Sequence, residues 1–460
     1  MLRNAIIAAA LLFTIPALAE PPRVQSSFDL RLRWEGFDSP ARTAAQDPEY
    51  DLGLARLRAA LDLVWTRWKL HGMLQAGGVF NIPENGAFAA GPTYFTANDG
   101  DTDPAVLGIA ELYGAYEAES LKLVLGRQPF VDGMEIPVGV AHLDGVKRRR
   151  LSDRLVGTLE WPNTARRFDG VSFGYGPGST HAAVFGFRPV SGAFDSSGDA
   201  LEQLEDVAVY GATVTGRHGK WIPGTEVRIF TVQYEDERSV APGQDLSINT
   251  SGVSFLAGNA ATDVLLWGAL QSGDWGSVSH DAWAFLIDVG RRFENLPGKP
   301  AFHLAWEQSS GDPTPSAGDH ETFFNVLPTN HKFYGSMDYL AFQNLRDLYV
   351  ESLFGIGPKV KVRAMFHDYA LTEQGDFWYG GSGAYEEESF GYAARTASYP
   401  SKDLARELDV EVTWPLQSGF ELGIGGGHWW SGEAAEVFFP AKDDGSWLYL
   451  QLGWRKPGRG

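Results

Sequence analysis

The chain has 460 residues, no cysteine, 54 glycines, 13% aromatic residues and a formal net charge of −20. The acid excess argues against nucleic-acid binding, which needs a basic face, and the lack of cysteine removes disulfide staples and thiol chemistry. A mean hydropathy of −0.19 alongside 44% hydrophobic residues describes apolar side chains spread along the chain, with no run long enough for a spanning helix.

Residues 1–19 read as an export leader. Arg3 supplies the positive start, Ala5 to Pro16 an apolar stretch of about a dozen residues, and Ala17-Leu18-Ala19 a small-x-small cleavage site. Residues 20–460 then form one domain. Its first periodic stretch is FDLRLRW, which puts Phe28, Leu30, Leu32 and Trp34 on one side and Asp29, Arg31 and Arg33 on the other. Similar period-two stretches follow around 54–65, 67–78, 108–117, 120–127, 168–175, 181–188, 206–215, 225–234, 262–272, 281–291, 301–307, 346–355, 360–367, 407–414, 418–430 and 448–454. Such alternation marks strands with one apolar face. Longer connections rich in Gly, Pro, Asp and Ser occupy 81–105, 131–165, 190–204, 237–261, 310–345, 373–403 and 432–444.

Two architectures produce this pattern. A soluble sandwich or propeller buries the apolar face; an outer-membrane barrel turns it to lipid. The polar face carries full charges in mid-strand: Arg31, Arg33, Arg56, Arg58, Lys361, Arg363, Glu407 and Asp409. Aromatics flank the strands at Trp34, Trp65, Trp68, Tyr113, Tyr116, Trp414, Trp429, Trp430, Trp447, Tyr449 and Trp454, as an interfacial girdle would. Short turns near 65–68, 117–121 and 355–359 alternate with the long loops. The expectation is therefore an all-β, transmembrane, antiparallel up-and-down barrel. Seventeen stretches are legible, and single-chain bacterial barrels have even strand numbers, so eighteen strands are expected.

Motifs for chemistry are weak. Asp99-Gly-Asp101-Thr-Asp103 begins like a calcium loop, but Pro104 stands where the loop needs glycine and Ala110 where it needs a bidentate acid. Gly170-Val-Ser172-Phe-Gly174 matches a nucleophile elbow, yet Ser172 lies inside an alternating strand and no helix follows. The histidines form no metal set; His367-Asp368 reads as a local hydrogen bond and His428 as a girdle or inner-face residue. No catalytic residue, metal or cofactor is expected. One segment, NVLPTNHKFYGSMDYLAFQNLRD at 325–347, is dense, irregular and polar-aromatic. Irregular backbone at membrane depth survives only inside protein or in a wet lumen. The segment is thus expected to fold back into the lumen and narrow it at Asn330, His331, Lys332 and Tyr334, with Arg346 on the wall where the next strand begins. The alternative is an external loop ordered by its aromatics.

LPTNHKFYGSMDYLAFQNLRDL (327–348) resembles the signature of the alginate-export family of outer-membrane barrels. Gly126-Arg127-Gln128, Arg166-Arg167-Phe168-Asp169-Gly170 and Glu407-Leu408-Asp409 match as well, in the family's order. The resemblance implies an 18-stranded monomeric barrel passing an acidic polysaccharide through a lumen lined with Arg and Lys. Carried onto matching positions, the lining residues are Arg31, Arg58, Arg127, Arg167, Lys332 and Arg346. Guanidinium groups suit that task because they pair bidentately with carboxylates. The implied setting is the outer membrane of a Gram-negative bacterium, with outer-membrane lipid around the barrel and a periplasmic secretion partner compatible with it. The competing readings are a general or organic-anion porin, and, from another class, a secreted soluble protein that binds or cleaves carbohydrate.

Overall fold

The structure is a computed structural model that describes residues 21–456 except 178, 218–223, 242–244, 316, 382–389 and 391–398. The leader expected over 1–19 lies outside the described residues. Eighteen antiparallel strands follow one another around a closed sheet. They are β1 (Arg23–Asp38), β2 (Glu49–Val64), β3 (Trp68–Phe80), β4 (Ala105–Ala118), β5 (Leu121–Gln128), β6 (Phe168–Tyr175), β7 (Thr180–Pro189), β8 (Val207–Arg217) and β9 (Glu226–Asp236). The second half holds β10 (Leu246–Gly258), β11 (Thr262–Trp275), β12 (Val278–Arg292), β13 (Ala301–Ser309), β14 (Leu345–Ile356), β15 (Val360–Leu371), β16 (Asp403–Pro415), β17 (Phe420–Ser431) and β18 (Gly445–Lys456). Closure comes from β1, which pairs with β2 on one edge and β18 on the other. A closed sheet leaves no backbone edge facing hydrocarbon, which is why strands can cross a membrane at all. No helix among the described residues is long and apolar enough to do so.

The pleat decides which side chains meet lipid. Leu32 is 44% exposed and its neighbour Arg33 only 4%; Val410 is 41% exposed and Asp409 2%. Outside the barrel this leaves a band that includes Leu57, Leu74, Ile229, Leu270, Ile287, Leu304, Val350 and Leu450. Val410 therefore tests the face assignment. Val410→Arg should impair barrel assembly by ~2–4 kcal/mol if it lies near mid-membrane, whereas Thr413→Arg, on the inner face, should assemble. Heat-modifiable gel mobility reads the difference, and equal tolerance of both would refute the assignment.

The strand missing from the sequence reading is β10, inside the expected connection 237–261. Its apolar side changes half-way along. Leu246 and Ile248 point into a buried core, whereas Val253 is exposed on the outer face and Phe255 shares that face. The outward residues of its first half are Ser247, Asn249 and Ser251, so no single apolar face runs its length. The aromatic girdle is also corrected in part. Trp34, Trp414 and Trp430 face outward, but Trp429, Trp447 and Tyr449 face inward and are buried in the barrel's contents.

Connections differ between the rims. One rim has 65–67, 119–120, 176–179, 259–261, 357–359 and 416–419, with 218–225 and 293–300 its longest; the other has 81–104, 129–167, 190–206, 310–344, 372–402 and 432–444, with the shorter 39–48, 237–245 and 276–277. Short periplasmic turns and long extracellular loops are the usual asymmetry of such barrels.

Candidate functional site

Described residues of the long rim's loops pack inside the barrel. Two of these loops, 129–167 and 310–344, bind each other. Leu327 N–H donates to Leu155 O at 2.7 Å and Gly157 N–H to Leu327 O at 2.9 Å, a parallel bridge between the loops. Around it lies an apolar core of Leu151, Leu155, Val156, Phe323, Phe324, Phe333, Tyr334 and Phe342. Within the first loop, α1, the short helix Ala141–Val146, runs into a π-helical turn, Lys147–Leu151.

That turn carries Lys147-Arg148-Arg149-Arg150, and most of its charges meet acids on the barrel wall. Lys147 Nζ is 2.6 Å from Glu226 of β9, Arg149 Nε 3.5 Å from Glu351 of β14 and Arg150 Nε 3.3 Å from Asp288 of β12. Four residues on, Arg154 donates to Glu307 of β13 at 2.7 Å and to the Tyr334 hydroxyl at 3.3 Å, with its guanidinium over the Phe333 ring. These groups are almost wholly buried, except Arg149. Buried pairs contribute little net stability over apolar packing, but removing one partner is costly, so such pairs fix position and register. They seat the first loop on the acidic half of the wall.

On the other half, β1 and β2 present arginines. Arg56, Arg58 and Arg167 converge on one carboxylate, Glu160, at 3.2, 2.8 and 2.9 Å. Arg31 is held by oxygens without formal charge: the Glu160 and Pro162 carbonyls at 3.0 and 2.9 Å and Asn163 Oδ1 at 3.4 Å. Arg33 pairs with Glu35 at 2.8 Å and lies 3.8 Å over Trp161. Glu160 is deep in the barrel yet keeps an open side, with 43% of its side chain accessible. Burial alone would raise its pKa, but Arg167, Arg58 and Arg56 together hold it well below the usual carboxylate range. It stays ionised at neutral pH beneath three cations.

Of the residues expected to line the path, Arg31, Arg58 and Arg167 are thus brought together. Lys332 is inside the barrel but committed: its Nζ donates to Ser152 O, Ser152 Oγ and Asp153 Oδ2, each at 2.8 Å, and so ties the second loop to the first. Burial pushes its pKa down, against the pull of Asp153. Arg127 and Arg346 correct the expectation. Arg127 shares the outer face with Leu121, Leu123 and Leu125 and holds Asp169 through two bonds of 2.8 and 2.7 Å. Arg346 is exposed on the outer face with Leu348 and Val350 at the long-loop end of β14. Both follow from the two-residue pleat, which overrides their place in a motif.

The expected constriction residues do lie within the barrel. Asn330, His331 and Lys332 form a single 3₁₀ turn. His331 stacks on Trp161 at 4.0 Å and bonds Asp338 at 2.9 Å; Asn330 Oδ1 accepts from Asn325 at 3.3 Å; Tyr334 is 1% exposed and stacks on Phe342. The segment then runs against β16, where Met337 N–H donates to Glu407 at 3.0 Å and Ser336 N–H to Asp409 at 3.2 Å. A Cβ at Gly335, whose φ is +86°, would sit 2.3 Å from the Glu407 carboxylate, so only glycine fits there. Ser172 is an inner-face residue bonded to Gln128 at 2.9 Å. His367 bonds Asp347 across the strands at 2.8 Å instead of its neighbour Asp368, which meets Arg406.

The sequence reading put Arg56 on the polar face but not among the path residues, and it missed the anchor cations Lys147, Arg149, Arg150 and Arg154. A signal existed: a Lys-Arg-Arg-Arg run inside an otherwise turn-rich connection has no solvent-side reason to cluster.

A family model described as alginate export matches residues 23–442, nearly the whole barrel. The chain belongs to the alginate export family. No curated protein matches it in sequence. Among solved structures it is similar to Pseudomonas aeruginosa OccK9 (OpdG), at 13% identity and TM-score 0.59, covering 94% of this chain and 98% of that one. The outer membrane protein OpdK of the same organism matches at 11% and 0.56 over 94% and 99%. Acinetobacter baumannii OccAB3 matches at 10% and 0.56, again over 94% and 99%. At such identities these likenesses speak for the fold. Together with the family they place this alginate-export-family barrel in the Gram-negative outer membrane as a channel protein.

Proposed function

We propose that the channel conducts carboxylate-bearing solutes, acidic saccharides such as uronate chains foremost, without covalent chemistry and as a single barrel. The observation that carries this reading is the convergence of Arg56, Arg58 and Arg167 on one partly open carboxylate, with Arg31 beside them held only by uncharged oxygens. A carboxylate passing Glu160 can exchange into guanidinium contacts already oriented by the wall, and so regains part of the hydration it loses. On the acidic half of the wall, Lys147, Arg149, Arg150 and Arg154 offset Glu226, Glu351, Asp288 and Glu307.

A second reading, passage of small organic anions, uses the same chemistry. It is favoured by the packed contents of the lumen, which leave less room for a polymer. One of the similar barrels, OpdK, was solved with vanillate.

Reconstituted in planar bilayers, the wild type should prefer anions over cations in reversal-potential measurements. Arg56→Gln with Arg58→Gln should remove most of that preference. Short uronate oligomers should interrupt the current where neutral oligosaccharides of equal length do not; block by monomeric organic anions alone would favour the second reading. Cation preference in the wild type would defeat both.

A further inference from the structure

Beneath the π-helical turn, close to the short-turn rim, four side chains meet that the proposed path does not use. Asp263 of β11, Asp288 of β12 and His303 of β13 are consecutive across three strands, all on the inner face, and each is 2% exposed or less. One oxygen or nitrogen from each lies within 4.8 Å of the other two. His303 Nδ1 is 2.9 Å from Asp288 Oδ1 and 3.6 Å from Asp263 Oδ1.

The outer oxygens of both carboxylates are occupied, and the imidazole and the two inner oxygens are left facing one another. Asp288 Oδ2 takes the Tyr349 hydroxyl at 3.0 Å and lies 3.3 Å from Arg150. Asp263 Oδ2 is 2.6 Å from Nε2 of His142, which α1 brings down from the inward loop. Asp263 Oδ1 is buried and has no hydrogen-bond partner among the described residues. A polar oxygen buried without a partner is costly, and this one points at the imidazole and the second carboxylate. The space is kept by Gly290. A Cβ there would lie 2.4 Å from Asp263 Oδ2 and 2.4 Å from His303 Cε1.

We propose that Asp263, Asp288 and His303 bind one divalent transition-metal ion of the zinc class, with His142 orienting Asp263 from outside the coordination sphere. Zinc takes imidazole nitrogen and carboxylate oxygen at about 2.0–2.2 Å, so neighbouring ligands around a tetrahedral ion stand roughly 3.4 Å apart. The two separations at His303, 2.9 and 3.6 Å, bracket that spacing. Ligating carboxylates are themselves held by outer hydrogen bonds, the place His142 takes at Asp263 Oδ2. The ion would fasten the helix of the inward loop to the barrel wall, at the end opposite the loop's entry.

The test is calorimetric titration of Zn²⁺ alone into chelator-treated protein in detergent, with heat-modifiable mobility reporting that each variant is folded. The wild type should bind one equivalent. Asp263→Asn should weaken binding at least 100-fold, and His142→Gln by 10–100-fold at the same stoichiometry. Absence of a stoichiometric site in the wild type, or equal affinity in folded Asp263→Asn, overturns the proposal. Should Asp263→Asn not assemble, His142→Gln decides, because it leaves every wall residue in place; unchanged affinity there overturns it.

Discussion

Replacing Arg150 and Arg154 together with alanine should raise single-channel conductance and its noise while the barrel still assembles. Each arginine is wholly buried against an acid on the wall, Arg150 beside Asp288 and Arg154 at 2.7 Å from Glu307. Removing one partner of a buried pair strands the other charge, at a cost of ~3–5 kcal/mol. Arg154 also carries the Tyr334 hydroxyl, and both guanidinium groups face the Phe333 ring. Their loss therefore removes the charged ties of the inward loops to the β12–β13 wall. The inter-strand ladder does not pass through either residue, so heat-modifiable mobility should be retained. Arg154→Lys is the informative control: it keeps the charge at Glu307 but loses the bond from Arg154 Nε to Arg150 O at 2.7 Å, and should give a smaller rise. Unchanged conductance in the double variant would mean that the apolar core and the remaining wall contacts hold the loops without these two arginines.

Glu160→Gln should sharpen anion selectivity. It leaves Arg56, Arg58 and Arg167 without the carboxylate on which they converge. A unit charge about 5 Å from a passing anion amounts to ~0.8 kcal/mol in water and ~3 kcal/mol at an effective dielectric of 20. The anion-to-cation permeability ratio should thus increase at least about fourfold at low salt and less at high salt. Acid should not mimic the substitution at pH 5. The three guanidinium groups hold the Glu160 pKa well below the ordinary carboxylate range despite its burial. A depressed carboxylate keeps its charge, and its contribution to loop stability, until pH falls through that lowered value. If acidification to pH 5 raises selectivity as much as Glu160→Gln does, another carboxylate controls the path.

Much of the architecture is legible along the chain because a strand's outward and inward residues alternate every two positions. Leu32 beside Arg33 and Val410 beside Asp409 already state which face meets lipid, and parity of strand number supplies the strand that alternation misses. The same parity was enough to put Arg127 with Leu121, Leu123 and Leu125, and Arg346 with Leu348 and Val350, outside the lumen; a motif correspondence carries no facing information. The irregular composition of 325–347 is legible as a segment that must live inside the barrel, since its polar backbone has no place in lipid. What the segment binds there is not local. Lys332 meets Asp153, and Gly335 to Met337 settle on Glu407 and Asp409. Arg150 finds Asp288, and Glu160 gathers arginines from β2. Alternation is a property of the pleat and needs only neighbouring residues. Partner choice among buried charges depends on which of many acids and bases end up a few ångströms apart once the sheet has closed and excluded water, and only the tertiary structure decides that.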